Sequence, residues 1–169
     1  MKRNIFLTGP PGIGKTTIIK KWAEKIKNAG GFYTEEIRES GKRKGFKIVT
    51  LDGKEGILAS CEKEGRLRVG RYTVNIKEFE DTGVKSIEKA LEDKGIKYIV
   101  IDEVGRMELF SERFKKIVEK ALDSDKVVIG VLTRAKDSFV DKIRMRQDVE
   151  IIEVDRTNRE ELVNLWKKF

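Results

Sequence analysis

The sequence contains no histidine, one cysteine and two prolines among its 169 residues. Cys61 has no second cysteine to pair with in the chain, so an internal disulfide is excluded, as are zinc sites built from several Cys or His ligands. A catalytic Ser–His–Asp triad is excluded because it requires an imidazole. Any catalysis must therefore rest on carboxylates, lysines, arginines, hydroxyl groups and backbone amides.

Long hydrophobic runs are also missing. A membrane-spanning helix needs about 20 consecutive apolar residues, whereas the first apolar run, at residues 5–7, stops before Gly9. That run, preceded by Met1-Lys2-Arg3, is too short for the core of a secretory signal, so we expect a cytoplasmic protein. The length fits a single domain, which we place at residues 1–169.

Charged residues make up 39% of the chain, nearly equal to the 38% that are hydrophobic. Because charges are interspersed with apolar runs, we expect a folded protein rather than a disordered one. Lys and Arg outnumber Asp and Glu by 37 to 29, which gives a formal charge of +8. Such a surface attracts nucleic acid, anionic membranes or nucleotide. Abundant Lys and Glu, with Gln147 as the one glutamine, are equally typical of thermophilic proteins, so nucleic acid remains an open partner.

Short apolar runs in the sequence predict strands. Gly41 and Asp52-Gly53 are turn signals that join three of these strands into an antiparallel meander. Strands are predicted at residues 4–8, 32–38, 45–51, 55–59, around Leu67 and Tyr72, and at 98–101, 127–132 and 149–154.

Apolar residues at helical spacing predict helices between these strands. The first helix starts just past Lys15, buries Trp22 and is stopped by Gly30-Gly31. The other helices are expected to begin at Asn75, Ser111, Asp137 and Thr157, the last with Glu160 in the spacing of a capping box. Strands that alternate with helices indicate parallel pairing and right-handed crossovers. We therefore predict a three-layer α/β fold with a mostly parallel sheet, extended by an antiparallel meander at about residues 32–60.

The segment that follows the first strand has the pattern G-x-x-x-x-G-K-[ST] of a phosphate-binding loop, or Walker A motif. An apolar strand precedes the motif and an amphipathic helix follows it, as a P-loop requires. Glycines let backbone N–H groups approach phosphate, and the start of the helix adds a positive dipole end. We predict that Lys15 contacts the β- and γ-phosphates and that the Thr16 hydroxyl binds Mg²⁺. The predicted nucleotide-binding residues here are Gly9, Pro10, Pro11, Gly12, Ile13, Gly14, Lys15, Thr16 and, less directly, Thr17.

A second motif, made of two acidic residues, follows the apolar run at 98–101. Asp102 and Glu103 end a predicted buried strand, as in a Walker B element. Ligands of open α/β sheets bind beyond the carboxyl ends of the strands. We therefore expect Asp102 to hold the metal through water and Glu103 to deprotonate the attacking water.

Several further residues are candidates for the same site. Thr133 and Arg134 follow the strand at 127–132 and are predicted to sense the γ-phosphate and to stabilise transition-state charge. Gly105 permits a tight turn, while Arg106 and Glu108 either shape the site or form a surface ion pair. Arg71 is the most remote candidate.

Six segments of the chain resemble the thermostable nucleoside-triphosphatase family. They are FLTGPPGIGKTT, GFYTEEIRE, GFKIVTLDG, VGRYTVN, VIDEVGRMELFS and TNRE. The resemblance implies a RecA-like P-loop fold with a catalytic Glu beside the Walker B Asp, and slow Mg²⁺-dependent hydrolysis of ATP, GTP and other nucleoside triphosphates to diphosphate and phosphate. It also implies nucleotide binding by the Walker B segment, which comprises Tyr98, Ile99, Val100, Ile101, Asp102, Glu103, Val104 and Gly105.

Three other functions compete with this prediction. A nucleotide or small-molecule kinase would transfer the phosphate to a second substrate, but no Arg-rich lid insertion is evident. A switch GTPase would carry an Asn-Lys-x-Asp element, which residues 133–137 do not match; base preference should therefore be weak. An ATP-dependent nucleic-acid-binding module is compatible with the basic surface.

Overall fold

The computed structural model describes residues 3–169. Met1 and Lys2 lie outside the described residues. They belong to the N-terminal segment in which the sequence predicts no secretory signal. No helix among residues 3–169 is long and apolar enough to cross a membrane.

Nine strands and six α-helices make up the described chain. The strands are β1 (Asn4–Thr8), β2 (Ala29–Glu39), β3 (Lys42–Thr50), β4 (Glu55–Ser60), β5 (Arg68–Val69), β6 (Tyr72–Val74), β7 (Tyr98–Val104), β8 (Val127–Leu132) and β9 (Val149–Glu153). The helices are α1 (Lys15–Lys25), α2 (Ile76–Phe79), α3 (Lys85–Glu92), α4 (Glu112–Asp123), α5 (Ser138–Arg144) and α6 (Arg159–Val163), with a π-helical turn at Glu80–Val84 and 3₁₀ turns at Glu108–Phe110 and Asn164–Lys168.

All nine strands form one sheet in the order β5-β6-β4-β3-β2-β7-β8-β1-β9. Neighbouring strands pair in parallel in one half of the sheet, which consists of β2, β7, β8, β1 and β9. In the other half, which runs from β2 through β3, β4 and β6 to β5, neighbouring strands pair antiparallel. β2 belongs to both halves, because Ala29–Phe32 pairs with β7 and the rest of β2 pairs with β3 alone. The predicted fold class is therefore confirmed, and the meander extends beyond residue 60 to include β5 and β6.

The sheet separates two hydrophobic clusters, which makes the fold three-layered. Alternate residues of β1 point to opposite faces: Phe6 joins the cluster under α3, α4 and α5, and Leu7 joins the cluster under α1 and α6. Trp22 lies in the second cluster with no exposed surface, and its indole N–H donates to the Leu162 carbonyl at 2.8 Å. The predicted core role of Trp22 is confirmed.

The first helix ends earlier than Gly30-Gly31, so that prediction is wrong. α1 stops at Lys25, and the two glycines lie inside β2. Tertiary packing explains the difference: a Cβ on Gly30 would lie 2.8 Å from the Ala90 Cβ, and one on Gly31 would lie 2.1 Å from the Val100 carbonyl oxygen. These glycines allow β2 to approach α3 and β7 closely, which positions the meander beside the Walker B strand.

The caps predicted at Asn75 and Ser111 are confirmed, and the helix predicted to follow Asp137 is capped by that residue. Ser111 and Asp137 accept backbone N–H groups at the starts of α4 and α5, and Asn75 accepts the N–H of Glu78 at 3.1 Å. The helix after Asn75 is not continuous, because the π-helical turn separates α2 from α3.

The capping box predicted at Thr157 is wrong. The Thr157 hydroxyl donates to Asp155 at 2.6 Å, and α6 begins two residues later without a side-chain cap. The Thr157 hydroxyl, which the sequence pattern predicts to cap the helix, is therefore bound to Asp155 instead.

Candidate nucleotide-binding site

The P-loop joins β1 to α1, as the sequence predicts. Gly12 and Gly14 have φ values of 78° and 112°, where a side chain would be strained although the space beside each is open. A Cβ on Gly9 would lie 2.9 Å from the Val154 carbonyl oxygen. Glycines therefore serve two purposes here, the backbone turn at residues 12 and 14 and close packing against the end of β9 at residue 9.

The start of α1 is free of competing groups. Gly14 occupies the N-cap position and makes no side-chain cap, and no acidic residue lies in the first turn. The free N–H groups and the positive end of the helix dipole are therefore available to a phosphate group.

The Lys15 side chain folds back over the P-loop. Its Nζ donates to the carbonyl oxygens of Gly9 at 2.7 Å and Pro10 at 2.9 Å. Burial lowers the pKa of Lys15, while the charges of Glu103 and Asp102 act in the opposite direction. The ammonium group thus lies close to both predicted Walker B carboxylates and has two neutral acceptors that phosphate oxygens can replace.

Asp102 lies near the carboxyl end of β7 and is almost completely buried, with 1% of its surface exposed. Burial, followed by the charge of Glu103, raises the pKa of Asp102 to about 7, whereas the Thr16 hydroxyl, the Lys15 ammonium and the Thr34 amide favour its charged form. The strand extends to Val104 rather than ending at Ile101, and the register with β8 shifts across this pair of acidic residues. The intervening Asp102–Glu103 peptide bond is cis.

The donor set around Asp102 fits a magnesium ion. Its Oδ2 atom is buried and has no hydrogen-bond partner within residues 3–169, while the Thr16 hydroxyl faces the same carboxyl group. No cluster of three or more Asp, Glu, His or Cys residues that could hold a metal occurs in residues 3–169. Mg²⁺ does not require such a cluster, because it is commonly bound by one or two protein oxygens together with substrate phosphates and water.

We predict that Asp102→Asn stabilises the metal-free protein. A carboxyl whose pKa is raised to about 7 in the folded state costs about 4 kcal/mol when it is ionised. Wild-type stability should therefore fall between pH 4 and pH 7 and then level off, because the folded state binds the extra proton over that range.

Thermal unfolding in the presence of a chelator checks this prediction. The midpoint for Asp102→Asn should exceed that of the wild type by several degrees at pH 8, and the difference should shrink towards pH 4. With Mg²⁺ and nucleotide the wild type should gain more stability than the variant. If Asp102→Asn is less stable than the wild type at pH 8 without metal, the prediction that burial destabilises the ionised Asp102 carboxyl is wrong.

Glu103 is half-buried and lies against the backbone of Gly105, whose Cβ, if present, would be 2.6 Å from the Glu103 Oε1. Burial raises the pKa of Glu103, and the Lys15 charge lowers it. A carboxylate with a raised pKa beside the lysine predicted to bind phosphate has the character of a general base.

Glu108 is buried rather than at the surface, so the surface ion pair with Arg106 is wrong. Its exposure is 2%, whereas Arg106 is exposed. Burial, then the charge of Glu103, raises the pKa of Glu108 well above its ordinary value, while its own amide and that of Glu103 oppose the shift. The site thus contains a third carboxyl group. Its position after Met107 gives no sequence signal of burial.

Thr133 and Arg134 lie on the same edge of the sheet. The Thr133 N–H donates to the Val104 carbonyl at 3.0 Å. Arg134 forms an exposed ion pair with Glu153 at 3.3 Å, and its charge helps to lower the pKa of Lys15. Both residues are therefore placed near the predicted phosphate site, and their roles stay predictions.

The remaining candidates are placed differently. Arg71 contacts Tyr72 and Arg43 on the meander and is not brought to the P-loop by any of these contacts. In the Walker B strand the residues before Asp102 pack into the two hydrophobic clusters, and their predicted nucleotide contacts stay predictions. The buried residues are Ile99, Val100 and Ile101.

Comparison with known proteins gives one consistent result. A family model described as NTPase matches residues 4–165. Nucleoside-triphosphatase THEP1 of Thermotoga sp. (strain RQ2) is 52% identical over 160 residues, 95% of this chain and 91% of that protein. Human cancer-related nucleoside-triphosphatase is 39% identical over 178 residues, which cover 96% of this chain and 94% of the human protein.

Solved structures agree with the sequence comparison. The crystal structure of THEP1 from the hyperthermophile Aquifex aeolicus superposes with a TM-score of 0.85 at 34% identity, covering 98% of this chain and 95% of that one. The solution structure of the human protein gives a TM-score of 0.81 at 39% identity, with 95% and 93% covered. With its P-loop and acidic strand end in the predicted places, the chain belongs to the NTPase family of nucleoside-triphosphatases.

Proposed function

We propose that the protein hydrolyses the β–γ phosphate bond of nucleoside triphosphates, with Mg²⁺ as cofactor and little preference for the base. The observation that carries this proposal is the convergence of Lys15, Thr16, Asp102 and Glu103 at one end of the sheet, where each changes the ionisation of another. A triphosphate bound by the P-loop amides would therefore meet a lysine, a hydroxyl group and two carboxyl groups at one end of the sheet.

Each side chain has a defined part in the proposed reaction. Lys15 leaves the Gly9 and Pro10 carbonyls and neutralises charge on the β- and γ-phosphates. Thr16 and Asp102 would hold Mg²⁺, which would neutralise phosphate charge when bound. Glu103 accepts a proton from the attacking water. At the same time the water oxygen bonds to the γ-phosphorus, and the bond between the γ-phosphorus and the β-phosphate oxygen breaks. The products are a nucleoside diphosphate and inorganic phosphate.

Weak base preference is supported by the loop after β8. The only aspartate of residues 133–137 is Asp137, and its carboxylate accepts the N–H groups of Phe139 at 2.8 Å and Val140 at 3.1 Å. A carboxylate engaged in capping α5 is not free to read the ring nitrogens of guanine. We therefore infer that binding depends mainly on the triphosphate.

A phosphate-release assay with ATP, GTP, CTP and UTP, each with and without Mg²⁺, tests the proposal. We expect release from all four with rates within about tenfold, because the binding energy comes mainly from charged phosphate contacts, and loss of release when Mg²⁺ is removed. Strong selectivity for GTP would contradict broad specificity. Diphosphate production without free phosphate, together with a phosphorylated acceptor, would identify a kinase instead.

A second candidate function, binding of nucleic acid, is supported by a row of arginines on the meander. Glu36 forms ion pairs with two of them, and the Tyr72 hydroxyl accepts from two. Guanidinium groups bind phosphate through two parallel hydrogen bonds. The arginines are Arg38, Arg43, Arg68 and Arg71.

Fluorescence anisotropy with a labelled single-stranded oligonucleotide tests this candidate. Affinity should fall linearly with the logarithm of salt concentration, and Arg38→Ala with Arg68→Ala should reduce the slope by about two. Lack of binding at low salt, or binding that salt does not weaken, would remove this candidate.

A further inference from the structure

The two residues beside Glu103, Gly105 and Glu108, have so far been predicted only to form a turn, to bind nucleotide or to shape the site. We propose that Gly105 and Glu108 are positioning residues that fix the Glu103 carboxylate where it meets the attacking water. The inference rests on the proposed function, because it assumes that Glu103 is the general base. It adds two residues on which the rate of hydrolysis depends through Glu103, and for Gly105 it replaces the nucleotide contact that the family resemblance implies.

Gly105 supplies the space in which the Glu103 side chain lies. A Cβ at residue 105 would be 2.6 Å from the Glu103 Oε1 and 2.8 Å from both Cδ and Cγ. Contacts this short do not persist, so the side chain would have to move. Gly105 is not among the described residues with positive φ, and an alanine there is therefore compatible with the backbone. The glycine is required by the position of the carboxylate rather than by its own conformation.

Glu108 holds the same residue from the backbone side. It is buried in the 3₁₀ turn that follows the Walker B strand, and the Glu103 amide faces its carboxyl group as a hydrogen-bond donor. The turn is itself anchored, since the Leu109 N–H donates to the Gly105 carbonyl at 3.0 Å and the Ser111 N–H to the Glu108 carbonyl at 3.0 Å. The loop therefore folds back so that Glu108 holds the Glu103 amide while the Glu103 side chain lies in the space left beside Gly105.

Electrostatic repulsion gives a reason why the Glu103 side chain must be held in position. Glu103 is adjacent to Asp102, and the two negative charges disfavour each other. A flexible glutamate would turn away from Asp102 towards solvent, beyond reach of the water at the γ-phosphate. The bond from the Glu103 amide to Glu108 and the space that Gly105 leaves for the side chain favour the position beside the P-loop. That position matters because a general base must lie within about 3 Å of the proton that it removes.

Gly105→Ala tests the side-chain half of the inference. The variant should lower kcat for phosphate release by about 10- to 100-fold, because small displacements of a catalytic group have effects of this size. Its affinity for Mg-nucleotide, measured with a fluorescent analogue, should stay within about threefold of wild type, since the P-loop is unchanged. Gly95→Ala is the matched control, because that glycine lies in the loop before β7, away from the site, and its Cβ would meet only Asp93 Oδ1 at 3.2 Å.

A double-mutant cycle separates positioning from general damage to the fold. In a Glu103→Gln background, Gly105→Ala should cause no further loss of kcat, because the base is already absent. Equal losses in both backgrounds would overturn the inference, as would wild-type kcat in Gly105→Ala.

Glu108 is tested by two substitutions of similar size. Glu108→Gln keeps an oxygen that accepts the Glu103 N–H and should retain most of the kcat, whereas Glu108→Leu should lose about tenfold or more without a change in nucleotide affinity. Equal kcat for the two variants, with both folded by circular dichroism, would remove Glu108 from the inference. If wild-type protein releases no phosphate, the proposed function fails first; if wild type is active and these variants match it, the inference alone fails.

Discussion

Glu103→Gln should reduce kcat for phosphate release by about 10²- to 10⁴-fold, the range that general-base catalysis supplies. Glutamine keeps the shape of the side chain and its contact with Gly105, whose Cβ position lies 2.6 Å from the Glu103 Oε1. It removes the negative charge that accepts a proton. Nucleotide affinity should change by less than about fivefold, because Lys15, Thr16 and Asp102 remain.

The pH dependence of kcat provides an independent check on Glu103. Burial raises the pKa of this carboxyl, and only the ionised form can accept a proton. The wild-type rate should therefore rise with pH through that pKa, and this rise should be missing from Glu103→Gln. Stopped-flow phosphate release and equilibrium binding together give both quantities, and a variant that hydrolyses at the wild-type rate would end the assignment of Glu103 as the base.

The P-loop was predictable because its requirements are local. Each fixed position of the motif corresponds to a property of one residue: the positive φ of Gly12 and Gly14, the ammonium of Lys15, or the hydroxyl of Thr16. The strand before it and the helix after it carry their own periodicity, so motif and context agree. The same holds for Ser111 and Asp137, whose side chains cap the helix directly after them in the chain.

Features set by distant residues were not predictable. Gly30-Gly31 is a helix stop by local rules, yet those glycines are needed because Ala90 and Val100 approach them from elsewhere in the fold. Thr157 has the spacing of a cap but is bound by Asp155. Local pattern identifies candidates, and packing decides which of them is used.

Glu108 shows the same limit within the site. In the sequence it is one of 29 acidic residues, and nothing about its neighbours distinguishes it from a solvated surface glutamate. Its burial results from the turn that folds back under Glu103, a tertiary arrangement that apolar periodicity does not encode. The sequence identifies the residues proposed to touch phosphate and metal, whereas the burial of Glu108 beside them could be found only from the structure.

Lys15→Ala should reduce phosphate release by about 10²- to 10³-fold. The variant lacks the positive charge that stabilises the negative charge developing on the phosphate in the transition state. Nucleotide binding should weaken as well, because this ammonium group contacts the triphosphate in the ground state. Removing it also leaves Asp102 and Glu103 without the positive charge that lowers the pKa of both carboxyl groups.

The lysine prediction therefore extends beyond activity to ionisation. In Lys15→Ala the pKa of Glu103 should rise further, so that any residual activity has its pH profile displaced to higher pH. Lys25→Ala is the matched control, because Lys25 lies exposed in the last turn of the same helix, and it should leave turnover and pH profile unchanged. Steady-state assays across pH, with isothermal titration of a non-hydrolysable analogue, measure both effects. A Lys15→Ala variant that binds and hydrolyses nucleotide as the wild type does would show that the triphosphate lies elsewhere.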